Sequence, residues 1–190
     1  MNNQHPGAPN DMTILSFSNS HHGRTFGTLS CTNSANPLST LDIPRFDWPV
    51  APFPQVKYPF AEHEKENRAE EDRCLAEARK LLKPGKTRVV GMIIEPIQGA
   101  NGNYFASPYF YKGLRTLCNE FDIPFIVDEV NSGVGSSGKM WAHEHWGDVK
   151  PDIVTFAKKM QVSGYYTTRE FRPKSSYQIF NTWMGDPLRL

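Results

Sequence analysis

The chain has 190 residues, enough for one domain with a real core and marginal for two. Its 21 Lys and Arg nearly balance its 20 Asp and Glu, so it lacks the basic footprint of a nucleic-acid-binding protein. No apolar run reaches membrane-spanning length. The three widely spaced cysteines, Cys31, Cys74 and Cys118, predict free thiols in a reducing compartment rather than disulfides or a metal site.

The N-terminal third combines a short strand with polar and proline-rich segments. Thr13 to Phe17 alternates weakly and predicts a strand, which the loop SNSHHGRTFG follows. From Pro37 to Pro59, prolines interleave with aromatic residues; this is typical of an extended surface loop, with a proline-rich recognition segment as the alternative. The start, MNNQHPGAPNDM, has neither the apolar core of a signal peptide nor the arginines of a transit peptide.

Charge order and apolar spacing predict a helix over residues 62–83. Acidic residues concentrate early and basic residues late, apolar residues recur at three and four, and Pro84-Gly85 ends the pattern. Arg88 to Ile94 is then a buried strand that delivers Glu95 at its carboxyl end.

A second helix separates this strand from the next. Ser107 is a good N-cap, and Pro108 suits the first helical position. A strand over residues 123–127 follows and ends at Asp128. A helical crossover implies parallel strands, so we expect Glu95 and Asp128 at the same edge of the sheet.

The segment after Asp128 contains two motifs that look like a phosphate-binding loop and a zinc site, but neither has the residue pattern that such a site requires. GVGSSGK is not a phosphate-binding P-loop, because Lys139 is followed by Met140 rather than by serine or threonine. The HEH triplet, His143 to His145, lies in a predicted loop between tryptophans and lacks the helical spacing of a zinc site. A packing role is predicted for it, and no metal ligand is assigned.

An acid and a lysine follow two short apolar runs. Asp128 follows FIV, and Lys158 comes shortly after Ile153 to Phe156, so both are directed to the strand ends where open α/β sheets bind ligands. A lysine there can form a Schiff base with an aldehyde, and an aspartate can keep a pyridine nitrogen protonated. Together they describe a pyridoxal phosphate site, although spacing alone favours the simpler explanation of a turn-capping acid and a solvated Lys-Lys pair.

The motifs DEV-N-SG, WAHEHWG and PDIVTFAKK resemble the 4-aminobutyrate aminotransferases of the class III aminotransferase family. The resemblance implies fold type I: an α/β large domain with a mainly parallel sheet flanked by helices. It also implies that residues 1–190 are part of the large cofactor-binding domain, with the small C-terminal domain and an N-terminal segment absent.

The resemblance assigns roles residue by residue. Lys158 carries pyridoxal 5'-phosphate and is catalytic, whereas its neighbour Lys159 normally does not react. Arg24 grips the substrate carboxylate, and Glu95 pairs with a second arginine that this chain lacks. The remaining expected cofactor contacts are Asp128 at the ring nitrogen, Asn131 near the phenolic oxygen, His22 stacked on the ring, and Thr182 at the phosphate of a partner's cofactor. Two departures stand out: His21, where an aromatic residue is expected, and Asn131, where glutamine is usual.

The resemblance implies transfer of the amino group of 4-aminobutyrate, or a similar ω-amino acid, to 2-oxoglutarate through a pyridoxal phosphate aldimine. The products are succinate semialdehyde and glutamate. Another class III aminotransferase, with lysine, ornithine or β-alanine as donor, and a catalytically incompetent fragment remain alternatives. A homodimer without nucleic-acid or membrane partners is expected. The expected location is the mitochondrial matrix, otherwise the cytoplasm.

Overall fold

A mostly parallel sheet forms the centre of the computed structural model, which describes residues 11–34, 43–85 and 87–180. Its strands are β1 Met12–Phe17, β2 Val50–Ala51, β3 Arg88–Ile94, β4 Phe125–Asp128, β5 Ile153–Phe156 and β6 Gly164–Thr167. They lie in the order β2-β1-β3-β4-β5-β6. All neighbours pair in parallel except β5 and β6, which are antiparallel.

The helices of the described ranges connect these strands. They are α1 Phe26–Ser30, α2 Glu64–Leu82 and α3 Pro108–Glu120, with short 3-10 turns at Gly99–Asn101, Ala142–Trp146, Lys158–Met160 and Arg169–Phe171. None of the helices described is both long and apolar enough to cross a bilayer. All three cysteines are free thiols, as the sequence predicts, and all three are buried.

Most of the predicted elements are confirmed to within two residues. The helix expected over 62–83, the strand at Arg88–Ile94 and the strand at Ile153–Phe156 are all present. The strand expected over 123–127 instead begins at Phe125 and ends at Asp128. Strand β2 was missed, because two residues between Pro49 and Pro52 are too few to show an alternating pattern. The HEH segment was expected in a loop, but it forms a 3-10 turn.

Helices α2 and α3 pack closely on one another beside the sheet. Gly113 of α3 allows this approach, because a Cβ there would lie 2.6 Å from Cδ1 of Leu75 in α2. The apolar face of α3 is buried through Phe110, Leu114, Leu117 and Cys118. The strands β3 and β4 add Met92, Ile94, Phe125 and Val127 to the same core. This packing holds the carboxyl ends of β3 and β4 in place.

The start of α3 is tied to α2 by a buried carboxylate. Ser107 occupies the predicted N-cap position, but its hydroxyl makes no capping hydrogen bond to the helix. It donates instead to Glu71 Oε2 at 2.8 Å, and the Ser107 amide donates to Glu71 Oε1 at 2.7 Å. Glu71 is 1% exposed, so these two donors supply contacts that water would otherwise provide.

We expect Glu71→Ala to destabilise the protein by about 1–3 kcal/mol, because it leaves both Ser107 donors without their acceptor in a buried site. Urea unfolding followed by circular dichroism measures the loss. The matched control is Glu77→Ala in the same helix, since the ion pair that Glu77 makes among the described residues is the exposed one with Lys80. The control is expected to lose less than about 0.5 kcal/mol. Equal losses in the two variants would contradict this role of Glu71.

Candidate active site

The carboxyl ends of the parallel strands bring the predicted site residues to one edge of the sheet. Glu95 follows β3, Asp128 ends β4, and Lys158 lies two residues beyond β5. The loop after β1 contributes His22 and Arg24. Because β1, β3, β4 and β5 run in the same direction, their carboxyl ends share this edge, as predicted for Glu95 and Asp128.

Asp128 is held by three hydrogen-bond donors from three parts of the chain. Its Oδ1 accepts from the Val130 amide and from the Thr155 hydroxyl, each at 3.0 Å. Its Oδ2 lies 2.8 Å from Nδ1 of His22. A carboxylate has about four acceptor positions, so one position on Oδ2 has no partner among the described residues. The side chain is 8% exposed and therefore largely desolvated.

His22 is the buried partner of Asp128. Its side chain is only 1% exposed, and its Nε2 is buried without a hydrogen-bond partner in the described part of the chain. The backbone amide of His22 donates to the Thr32 hydroxyl at 3.0 Å, which fixes the loop. A ring this deeply buried has almost no face open to a ligand. The geometry therefore gives no support to the expected stacking of His22 on a cofactor ring.

Lys158 and Asn131 meet beside the acid. The Lys158 Nζ donates to Asn131 Oδ1 at 2.5 Å, while the neighbouring Lys159 donates to the Asn131 backbone oxygen at the same distance. Lys158 has φ of +52°. For a residue other than glycine, this left-handed conformation costs on the order of 1–3 kcal/mol, and such strained residues cluster at functional sites as well as in turns. The strain distinguishes Lys158 from Lys159, whose φ is not positive.

Glu95 is a buried acid with an elevated pKa. It is 2% exposed, and its Oε2 accepts from the His21 backbone amide at 2.9 Å. Burial raises the pKa of Glu95 to about 7. The positive field of His22 and the hydrogen bond from His21 act in the opposite direction, and the charge of Asp128 adds to the increase.

His21 lies within the electrostatic reach of the whole cluster. Burial lowers the pKa of this imidazole, and the cations Arg24 and Lys158, together with His22, lower it further. Asp128 has the opposite, weaker effect. Arg24 is exposed and makes no hydrogen bond or ion pair to the described residues, so its guanidinium is available for a ligand carboxylate.

A second buried acid, Glu129, fixes the glycine-rich loop that contains Asn131. Its Oε1 accepts from both the backbone amide and Nδ1 of His143, at 2.8 and 2.9 Å, and its Oε2 accepts from Ser132 Oγ at 2.5 Å. Burial would raise the pKa of Glu129, but the hydrogen bonds from His143 and Ser132 bring it below its ordinary value. A Cβ on Gly133 would lie 2.9 Å from the Glu129 carbonyl oxygen, so the turn requires glycine there.

Sequence reasoning missed this network. These residues lie in the DEV-N-SG and HEH motifs. The spacing of the motifs does not indicate that His143 pairs with Glu129, which lies 14 positions earlier. His143 thus anchors the loop through a hydrogen-bonded pair with Glu129, a role that the packing predicted for the HEH triplet did not include. Within residues 11–34, 43–85 and 87–180, no three or more His, Cys, Asp or Glu side chains are placed to hold a metal ion. Thr182 lies outside the described residues.

The sequence of the chain matches one protein family over its whole length. The class III aminotransferase family profile matches residues 1–190. The 4-aminobutyrate aminotransferase of Dictyostelium discoideum is 55% identical over 190 residues, which cover 100% of this chain and 38% of that protein. The enzyme named 4-aminobutyrate aminotransferase, mitochondrial, of Sus scrofa is 50% identical over 191 residues and is likewise covered to 38%. The chain thus spans well under half the length of these curated relatives.

Solved structures show the same fold. A lysine aminotransferase from M. tuberculosis matches with a TM-score of 0.76 at 37% identity, over 83% of this chain and 35% of that chain. An (S)-enantioselective ω-transaminase from Thermomicrobium roseum matches with a TM-score of 0.75 at 26% identity, over 90% of this chain and 40% of that chain. The predicted α/β fold of type I, with its mainly parallel sheet, is confirmed.

The family match extends over the whole chain, and its enzymes depend on pyridoxal phosphate. Asp128 and Lys158, the residues predicted to hold that cofactor, lie at the end of β4 and two residues beyond the neighbouring strand β5. Because the family profile matches the whole chain and a 4-aminobutyrate aminotransferase is 55% identical to it, this chain belongs to the class III aminotransferase family.

Proposed function

We propose that this chain is part of the large domain of a pyridoxal phosphate-dependent aminotransferase that transfers the amino group of 4-aminobutyrate to 2-oxoglutarate. The observation that carries the proposal is the placement of Asp128 and Lys158 at the carboxyl ends of the adjacent parallel strands β4 and β5. Relatives that are 46–55% identical are named 4-aminobutyrate aminotransferase, which supports this donor.

The described residues fit the cofactor. Asp128 retains one acceptor position on Oδ2, which suits the N–H of a protonated pyridine ring. Lys158 offers a primary amine for the aldehyde, and the amide of Asn131 lies next to that amine, where it suits the phenolic oxygen. Thr182 remains the predicted contact to the phosphate of a partner's cofactor.

The residues of the chain divide the chemistry between them. Pyridoxal phosphate, when bound, supplies an aldehyde and an electron-withdrawing ring. Asp128 holds the proton on the ring nitrogen, and His22 orients Asp128 through its Nδ1. The Lys158 amine, which rests on Asn131, would accept a proton from the substrate carbon and deliver it to the carbon that carried the cofactor's aldehyde.

Substrate recognition falls to the exposed guanidinium of Arg24 and to the buried acid Glu95. Arg24 holds the carboxylate of the donor through two parallel hydrogen bonds. Glu95 is poised near neutral pH, so it can pair with a second arginine from outside the described residues when it is ionised.

A lysine donor is the second candidate, because a lysine aminotransferase shares the fold at 37% identity. We propose that the enzyme works as a homodimer in the mitochondrial matrix. The pig and human relatives are named as mitochondrial enzymes, which supports this location. The name of the Dictyostelium relative does not include this location.

Pyridoxal phosphate is expected to attach to Lys158. We would incubate the protein with the cofactor, reduce it with borohydride and map the modified peptide by mass spectrometry. Lys158→Ala is expected to remove the pyridoxyl label, because the variant lacks the amine that donates to the side-chain oxygen of Asn131 in the wild type. Lys159→Ala is the matched control and is expected to retain the label. Label on Lys159, or label spread over surface lysines, would contradict the assignment.

The raised pKa of Glu95 predicts a specific pH dependence of stability. Unfolded Glu95 releases its proton near its ordinary pKa of 4.5, whereas the folded state keeps it until about pH 7. The folded state therefore binds more protons between these values, so its stability falls as the pH rises through this window.

We expect the free energy of unfolding to fall by about 2 kcal/mol more in the wild type than in Glu95→Gln between pH 5 and pH 8, since glutamine cannot ionise. Urea unfolding of both proteins at the two pH values measures the difference. Glu77→Gln, at a half-exposed position of α2, serves as the control and is expected to follow the wild type. Parallel pH profiles of wild type and Glu95→Gln would rule out the elevated pKa.

A further inference from the structure

Thr155 is the one polar residue in the otherwise apolar strand β5, IVTF. In the sheet register it lies directly beside Asp128 of β4. Its hydroxyl donates to Asp128 Oδ1 at 3.0 Å. Its backbone oxygen accepts from the Glu129 amide at 2.9 Å, so Thr155 contacts both acids of the DEV motif.

The hydroxyl completes the set of donors that fixes the rotation of the Asp128 carboxylate. Oδ1 accepts from Val130 and Thr155, which fills both of its acceptor positions. Among the described residues Oδ2 accepts only from His22, which leaves its second position without a partner there. Rotation of the carboxylate about its last bond would break contacts to all three donors. The free acceptor position on Oδ2 therefore has one fixed direction, set by the orientation of the Asp128 carboxylate.

The residue type matters at this position. A β-branched side chain has few χ1 rotamers, so the threonine hydroxyl is held near Asp128 at a small cost in entropy. Valine has the same shape without the hydroxyl, and serine keeps the hydroxyl without the methyl group. These two replacements separate hydrogen bonding from packing.

We propose that Thr155 is a positioning residue: its hydroxyl holds the Asp128 carboxylate in the orientation that leaves one acceptor position of Oδ2 free for the cofactor's ring nitrogen. The use of that position rests on the proposed function. The orientation itself does not, and it can be measured without cofactor.

The test compares Thr155→Val with Thr155→Ser in the whole chain. The first readout, without cofactor, is hydrogen exchange at the Val130 amide, which donates to the same oxygen as Thr155. We expect about tenfold faster exchange in Thr155→Val and nearly wild-type exchange in Thr155→Ser. The second readout is the pyridoxal phosphate concentration that gives half-maximal change in the cofactor's absorbance, expected to rise about tenfold in Thr155→Val only.

Thr13→Val is the matched control, because it removes another strand threonine hydroxyl, one that contacts the Arg88 backbone oxygen. It is expected to leave the exchange of Val130 unchanged. If Thr155→Val does not fold, Thr155→Ser against Thr155→Ala makes the same comparison. Unchanged exchange at Val130 in the variant without the hydroxyl, or equal acceleration in the serine variant, would overturn the proposal. Absence of cofactor binding in the wild type would count against the proposed function, while the exchange data would still decide the role of Thr155.

Discussion

The site depends on one constraint: a desolvated carboxylate must be paired, and Asp128 is paired by three donors. His22, Val130 and Thr155 come from the loop after β1, the turn after β4 and the strand β5, respectively. A buried carboxylate that lost these donors would be strongly unfavourable. The pairing therefore joins three segments, distant in sequence, at the place where the sheet presents its strand ends.

Two neighbouring buried acids, Glu129 and Glu95, hold further segments of the site in place. Glu129 fastens the glycine-rich loop through His143 and Ser132, and so fixes Asn131 beside the Lys158 amine. Glu95 receives the amide of His21 and carries a pKa near 7 because it is buried. Three acids lie at one edge of the sheet, and their surroundings differ: Asp128 keeps one acceptor position without a described partner, Glu129 anchors a loop, and burial raises the pKa of Glu95.

Much of this arrangement could be predicted from the sequence. Apolar strands with charged residues at their ends placed Glu95, Asp128 and Lys158, because parallel strands share a carboxyl edge. The pairing of His22 with Asp128 could not be predicted, since it joins positions 106 apart and depends on how the loop after β1 folds back. The resemblance suggested a stacking ring at His22, whereas its burial indicates a partner of the acid.

The most direct test of the account is a crystal structure of the protein with pyridoxal phosphate. We expect density that joins the cofactor's aldehyde carbon to Lys158 Nζ, with the ring nitrogen about 3 Å from Asp128 Oδ2. In that structure, the contacts of Asp128 to His22 and Thr155 would be retained. A cofactor bound through Lys159, or with its ring nitrogen away from Asp128, would contradict the central claim that these two strand ends form the site.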